Sequence, residues 1–143
     1  GIHVTGSLIK EGDYIGISAF LGNYGMIALT LRNGEYYICT QGITVSNDTS
    51  QAEREEHKIP EEWARIRTGK SDVHLKAVLD YTQQRDLVEF YYMEEDNWIP
   101  LGPPHSLYFR LDHFCGCRFG LFYYSTNSIG GKGSFDTFWR KDE

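Results

Sequence analysis

The sequence predicts an all-β fold, a two-sheet antiparallel β-sandwich, on three observations. Apolar residues alternate with period two in several short runs. Glycine, at 15 of 143 residues, falls between those runs as punctuation. Helical periodicity is scarce. Period two places successive side chains on opposite faces of a strand, and regularly spaced turn signals join such strands into a sandwich.

Tyr14 to Leu21 is the first clear strand. Ile15, Ile17, Ala19 and Leu21 share one face, and Tyr14, Gly16, Ser18 and Phe20 the other. The aliphatic face is expected in the core. Asn33-Gly34 is the strongest local signal, a two-residue hairpin turn of the kind that needs positive φ twice. Centring the hairpin there sets Arg32 opposite Glu35, Thr30 opposite Tyr37, Ala28 opposite Cys39 and Met26 opposite Gln41. Leu31, Leu29 and Ile27 then meet Tyr36, Ile38 and Thr40, so one face is aliphatic and the other mixed. Thr44 to His57 is polar and reads as a long loop running into an edge strand. Glu61 to Arg67 holds at most one helical turn, started by Pro60 and stopped by Gly69.

Further strands read at Val73–Asp80, Leu87–Met93, Arg118–Ser125 and Ser134–Arg140. In the first, Val73, Leu75, Ala77 and Leu79 point one way, leaving His74 an exposed strand residue with no ligand partner at useful spacing. Leu87 to Leu101 reads as a hairpin with Glu94, Glu95, Asp96 and Asn97 at its tip. Arg118–Ser125 is apolar on both sides, which suits a central strand. The whole of 1–143 reads as one domain, long enough to bury a core without disulfide or metal.

Composition excludes several functions. Fourteen basic against 20 acidic residues give a net charge of −6, a poor balance for gripping phosphate backbones, so no nucleic-acid partner is expected. A 41% hydrophobic and 15% aromatic content excludes disorder. No apolar run approaches the roughly 20 residues of a membrane span, so no membrane partner is expected. Gly1 to Thr5 carries no signal-peptide features, and the compartment stays open between bacterial cytoplasm and secretion. The three cysteines, Cys39, Cys115 and Cys117, are too few for a disulfide framework and lack zinc spacing. Asn47-Asp48-Thr49 matches a glycosylation sequon by chance. No acidic loop has calcium-site spacing, and no cofactor is expected.

No nucleophile elbow, phosphate loop or dinucleotide fingerprint occurs. Glycoside hydrolysis needs two carboxylates about 5–9.5 Å apart. Glu89 and Asp112 are the pair to check, each equally suited to a structural acceptor role. The surplus is aromatic, with ten Tyr, eight Phe and three Trp. Sugars stack their C–H faces on flat rings and hydrogen-bond at the rim, so a groove of exposed aromatics is a glycan site. Trp98, Phe119, Phe122 and Phe135 are expected in the core. Phe20, Tyr24 and Trp63 are the candidate carbohydrate-binding residues.

The C-terminal third carries a family pattern. Leu111-Asp112-His113-Phe114, Gly116, Arg118-Phe119-Gly120-Leu121-Phe122, Gly130-Gly131 and Phe135-Asp136-Thr137-Phe138 resemble the last strands of the C-terminal β-sandwich of family 43 glycoside hydrolases. Lys10-Glu11-Gly12-Asp13-Tyr14-Ile15-Gly16 with Asn23-Tyr24-Gly25 is similar to that module's start. Phe90-Tyr91-Tyr92, leading to Asn97-Trp98 and Ile99-Pro100-Leu101-Gly102-Pro103, is similar to its middle. The resemblance implies a concanavalin A-like jelly roll. It also implies a partner, a five-bladed catalytic β-propeller that holds the three catalytic carboxylates and that the module stabilises. Such enzymes are mostly β-xylosidases and α-L-arabinofuranosidases. No catalytic residue carries over.

The sequence departs from the family pattern in three places. A strand region that members carry ahead of the stretch matching Gly1 is missing. Cys115 and Cys117 replace larger side chains. The tip Met93-Glu94-Glu95-Asp96 lacks the usual Ser-Asp-Gly turn.

Three functions follow for test. The first is a non-catalytic accessory module of a glycoside hydrolase acting on xylan or arabinoxylan, with xylan or xylo-oligosaccharide as its own ligand. The second is a free-standing lectin-like carbohydrate-binding domain. The third is a small enzyme using Glu89 and Asp112.

Overall fold

The computed structural model describes residues 1–21, 23–43, 61–80, 87–102, 105–106, 118–126 and 130–136. These hold eleven strands: β1 (Ile2–Leu8), β2 (Asp13–Leu21), β3 (Asn23–Arg32), β4 (Glu35–Ile43), β5 (Glu61–Arg67), β6 (Asp72–Asp80), β7 (Leu87–Glu94), β8 (Asn97–Pro100), β9 (His105–Ser106), β10 (Arg118–Ser125) and β11 (Lys132–Asp136). One sheet has the order β11-β1-β6-β7-β8, with β9 also paired to β7, and the other β10-β2-β3-β4-β5. Every pairing among the described residues is antiparallel. The fold is a two-sheet antiparallel β-sandwich, as the sequence predicts.

Alternation selects the core. Ile2 and Val4 of β1, Val73 and Leu75 of β6, and Val88, Phe90 and Tyr92 of β7 are buried in one cluster with Ile15, Ile17 and Ala19 of β2, Ile27 and Leu29 of β3, and Ile38 of β4. The residues between them on each strand face away, so each sheet shows an outward face beside its buried one.

The hairpin signal fixes its register. Asn33 (φ 52°) and Gly34 (φ 76°) make the turn, and all seven predicted pairs occur, from Arg32–Glu35 to Met26–Gln41. Glu11 anchors the turn from outside: its carboxylate accepts the amides of both Asn33 and Gly34. The β7–β8 hairpin turns tighter than expected, on Glu95 (φ 50°) and Asp96 (φ 64°) alone.

The end of the sandwich is closed by a buried acid. The Asp13 side chain accepts the Lys10 amide at 2.9 Å and the Tyr123 hydroxyl. Burial works to raise the Asp13 pKa, but the Tyr123, Lys10 and Ser125 hydrogen bonds and the Lys10 charge hold it below 3.8. Burial, then the Asp13 hydrogen bond and charge, push the Tyr123 hydroxyl up to about 12. Gly131 lies against this pair: a methyl group there would fall inside contact distance of both the carboxylate and the hydroxyl.

Four expectations are corrected. Glu61–Arg67 is a strand, not a helical turn, because β4 offers it a free edge. Its register slips by one residue, from Thr40–Ala64 to Gln41–Glu62, which makes Trp63 the extra residue of a bulge. β10 stands at the end of its sheet among the described residues, not in the centre; the strands buried on both faces are β3 and β4. Phe122 is half-buried on the outward face of β10, stacked on Tyr124. Trp98 is also outside the core: Ile99 takes the inward position, so its neighbour faces out. In addition β1, unremarked in the sequence, is an interior strand between β11 and β6. Thr44–His57, Asp112, Cys115, Cys117 and the expected strand end at 137–140 lie outside the described residues.

Candidate functional site

The two outward faces differ in kind. On the five-stranded sheet, small residues form the floor. The register aligns Phe122, Gly16, Ala28, Cys39 and Arg65 in one row across β10, β2, β3, β4 and β5. Long side chains from the neighbouring rows then close over that floor. The Gln41 amide, on β4, donates to the Tyr124 hydroxyl, on β10, across the two strands between them. Arg32 spans the other way, donating to the Tyr14 hydroxyl at 2.6 Å and pairing with Glu62 at 2.8 Å. Tyr14 and Tyr124 stack at 4.9 Å and 11°, Phe122 stacks on Tyr124 at 5.7 Å, and the Arg32 guanidinium lies 5.6 Å over the Tyr14 ring.

The result is a second sealed layer. Ala28, Thr30 and Cys39 are fully buried although they face away from the core. Thr30 Oγ1 has no hydrogen-bond partner under this cover. Burial opposes the Arg32 charge, but Tyr14 and Glu62 outweigh it and hold the guanidinium above its ordinary pKa. Burial pushes the Cys39 thiol up to about 12, with Arg32, Glu62 and Arg65 making smaller, opposing contributions. A thiol this far from ionising is no nucleophile at neutral pH.

On the six-stranded sheet the outward side chains are half-buried or exposed, with none fully buried in the rows described next. The row on β6 is His74, Lys76 and Val78; the facing row on β7 is Met93, Tyr91 and Glu89; β8 adds Trp98 and Pro100. The Lys76 ammonium lies 4.5 Å from the Trp98 ring centre and 4.9 Å from that of Tyr91. Tyr91 donates to the Glu89 carboxylate. That hydrogen bond, with burial and the Glu89 charge behind it, pushes the Tyr91 hydroxyl up to about 12. Burial lowers the Lys76 pKa. Beside this group His3 and His74 stack at 4.4 Å, and His3 Nε2 meets Asp72 at 3.3 Å. His74 is exposed, as expected.

The structure places the three candidate sugar contacts as follows. Trp63 packs against the core, its ring beside Phe90 and Gly25. The backbones of Phe20 and Tyr24 pair with each other where β2 meets β3; their side chains lie outside the described residues. Glu89 sits among aromatic residues on the six-stranded sheet, so it has an accepting role there, and Asp112 gives it no described partner. The sequence reading missed Tyr91 and Trp98 as outward residues. The signal was present: Val88, Phe90 and Tyr92 are the inward set of β7, and a two-residue turn at Glu95-Asp96 carries that alternation into β8.

The family model for the beta xylosidase C-terminal concanavalin A-like domain matches residues 3–141. No curated protein matches the chain. Among solved structures, a bifunctional GH43-CE protein of Bacteroides eggerthii is 29% identical, with a TM-score of 0.76 over 94% of this chain and 16% of that one. A GH43 glycoside hydrolase, engineered to display both endo-xylanase and exo-arabinofuranosidase activity, is 21% identical with a TM-score of 0.80, over 94% of this chain and 27% of that one. The chain thus spans less than a third of either enzyme.

Proposed function

The chain belongs to the family of β-xylosidase C-terminal concanavalin A-like domains, and from that we propose that it is a non-catalytic accessory module of a glycoside hydrolase acting on xylan or arabinoxylan. It stabilises a catalytic β-propeller carried on the same polypeptide, and it contacts carbohydrate in its own right. The observation that carries this reading is the ratio of lengths: nearly the whole chain matches a small fraction of each GH43 enzyme.

Five of the described carboxylates support the non-catalytic part. Asp13 is buried and holds Tyr123, Glu11 holds a turn, Glu62 pairs with Arg32, Glu35 pairs with Arg67 at 3.0 Å, and Glu89 accepts from Tyr91. Each has a structural partner, whereas glycoside hydrolysis needs a proton donor and an opposed base or nucleophile flanking one bond.

The test is the reading frame that contains this chain, followed by its product. A propeller-coding segment is expected in the same frame. Deleting the module is then expected to lower the enzyme's melting temperature and its release of xylose or arabinose from arabinoxylan. A frame without a propeller, or a truncated enzyme with unchanged stability and rate, would overturn the reading.

A further inference from the structure

Water-facing positions on a sheet with one buried face are normally polar. Several outward positions of β6, β7 and β8 break that rule. Val78 is 42% exposed, Pro100 is exposed, and Tyr91, Met93 and Trp98 are half-buried. The same alternation on the other sheet ends in a sealed layer, so the open strip is not a general property of the fold. An apolar strip with polar groups set into it marks a binding surface.

The polar groups identify the partner. The Lys76 ammonium lies over both aromatic rings, which fixes the two rings as neighbours sharing one approach. A cation is drawn to a ring by its electron-rich face, and the C–H bonds of a pyranose present the weaker form of the same complementarity. Glu89, held by Tyr91, supplies an acceptor at the edge of the rings, and Lys76 a donor. A docked protein surface would strip water from both charges, which is unfavourable unless each is matched. A hydroxylated chain brings small donors and acceptors and leaves both charges partly solvated. An acidic chain would meet the Glu89 and Asp72 carboxylates on the same face.

We propose that the outward face of the six-stranded sheet binds a neutral, extended pyranose chain of the xylan class, stacked on Tyr91 and Trp98, with Lys76 donating to and Glu89 accepting from its hydroxyls. The proposal deepens the carbohydrate-contact part of the function above. It does not depend on the catalytic partner.

The experiment is affinity electrophoresis of the 143-residue chain in neutral arabinoxylan, glucuronoxylan and plain gels, with calorimetric titration by xylohexaose. Trp98→Ala is expected to weaken binding about ten-fold and Tyr91→Ala somewhat less. Trp98→Phe should keep most of the affinity. Arg67→Ala, outward on the other sheet, should change nothing. Melting curves of each variant separate lost binding from lost fold. Equal binding by the chain and a folded Trp98→Ala variant would overturn this site and leave carbohydrate contact standing elsewhere. No retardation in any gel would overturn the site and the carbohydrate contact together, while the accessory role would still rest on the reading frame. Retardation by glucuronoxylan alone would overturn the neutral ligand.

Discussion

Replacing Asp13 by Ala is expected to destabilise the protein by about 3 kcal/mol. The carboxylate is fully buried, and the donors it satisfies include the Lys10 amide and the Tyr123 hydroxyl. Each donor left without a partner costs about 1–3 kcal/mol. With both donors taken toward the low end of that range, the sum is about 3 kcal/mol. In a chain of 143 residues such a loss lowers the melting temperature by about 6–12 °C.

Gly131 supplies the internal control. Gly131→Ala drives a methyl group into Asp13 and Tyr123 together, an overpacking cost of about 1–3 kcal/mol. In the Asp13→Ala background half of that collision is gone. The two losses should therefore be less than additive by about 1 kcal/mol, as expected for groups in contact. Urea titrations of the four proteins close the cycle. An Asp13→Ala loss below about 0.5 kcal/mol, the range of ordinary surface changes, would refute the clasp. So would strict additivity with Gly131→Ala.

The remaining predictions concern pH, a turn and a packed ring. Asp13 has its folded pKa below 3.8, so its contribution is fully present above that value and is lost as pH falls through the folded value. Urea midpoints measured from pH 5 to pH 2 should fall less steeply in Asp13→Asn than in the parent, in the pH range given roughly by acid titration of carboxylates. Tyr123 is the opposite case: its contribution is present below its ordinary 10.0 and lost as pH rises through about 12, so Tyr123→Phe should flatten the alkaline limb. Glu95 and Asp96 hold positive φ without glycine, so converting them to Asn-Gly should stabilise the protein by about 0.5–1 kcal/mol in the same titrations. Trp63→Ala should cost about 3 kcal/mol through lost packing on Phe90 and leave xylohexaose affinity unchanged, which calorimetry reads directly.

Much of this fold was legible because a short-range device fixed a long-range result. Asn33-Gly34 sets one turn, the turn sets one register, and the register decides which residues of β3 and β4 face the core. The errors arose where no such device was present. Glu61–Arg67 is rich in charge and carries no two-residue turn signal like Asn33-Gly34, so nothing local opposed a helical reading. Only the unpaired edge of β4, a feature of the assembled sheet, makes it a strand. Trp63 then faces inward because the bulge adds one residue, which no alternation count foresees. β1 is short and begins the chain, but Ile2 and Val4 alternate with His3 and Thr5, and that pattern was readable.

Trp98 shows why the candidate site was harder to read than the fold. Its sequence neighbours, Ile99 and Leu101, are apolar, and hydrophobic company suggests a core position. The decision lies in the length of one turn. A four-residue tip from Glu94 to Asn97 leaves the phase of β8 undetermined. A two-residue turn at Glu95-Asp96 sets Trp98 opposite Met93 and turns it outward. The same parity puts Tyr91 and Lys76 beside it and Glu89 at the edge. On the other sheet an equally aromatic face is consumed by its own contacts, Tyr124 reaching Gln41 and Arg32 reaching both Tyr14 and Glu62. Aromatic count therefore says little about where a ligand binds. What separates the two faces is whether their long side chains close over a buried second layer, as they do above Ala28, Thr30 and Cys39, and on β7 and β8 a flexible ammonium lies over the rings where the proposed chain would stack.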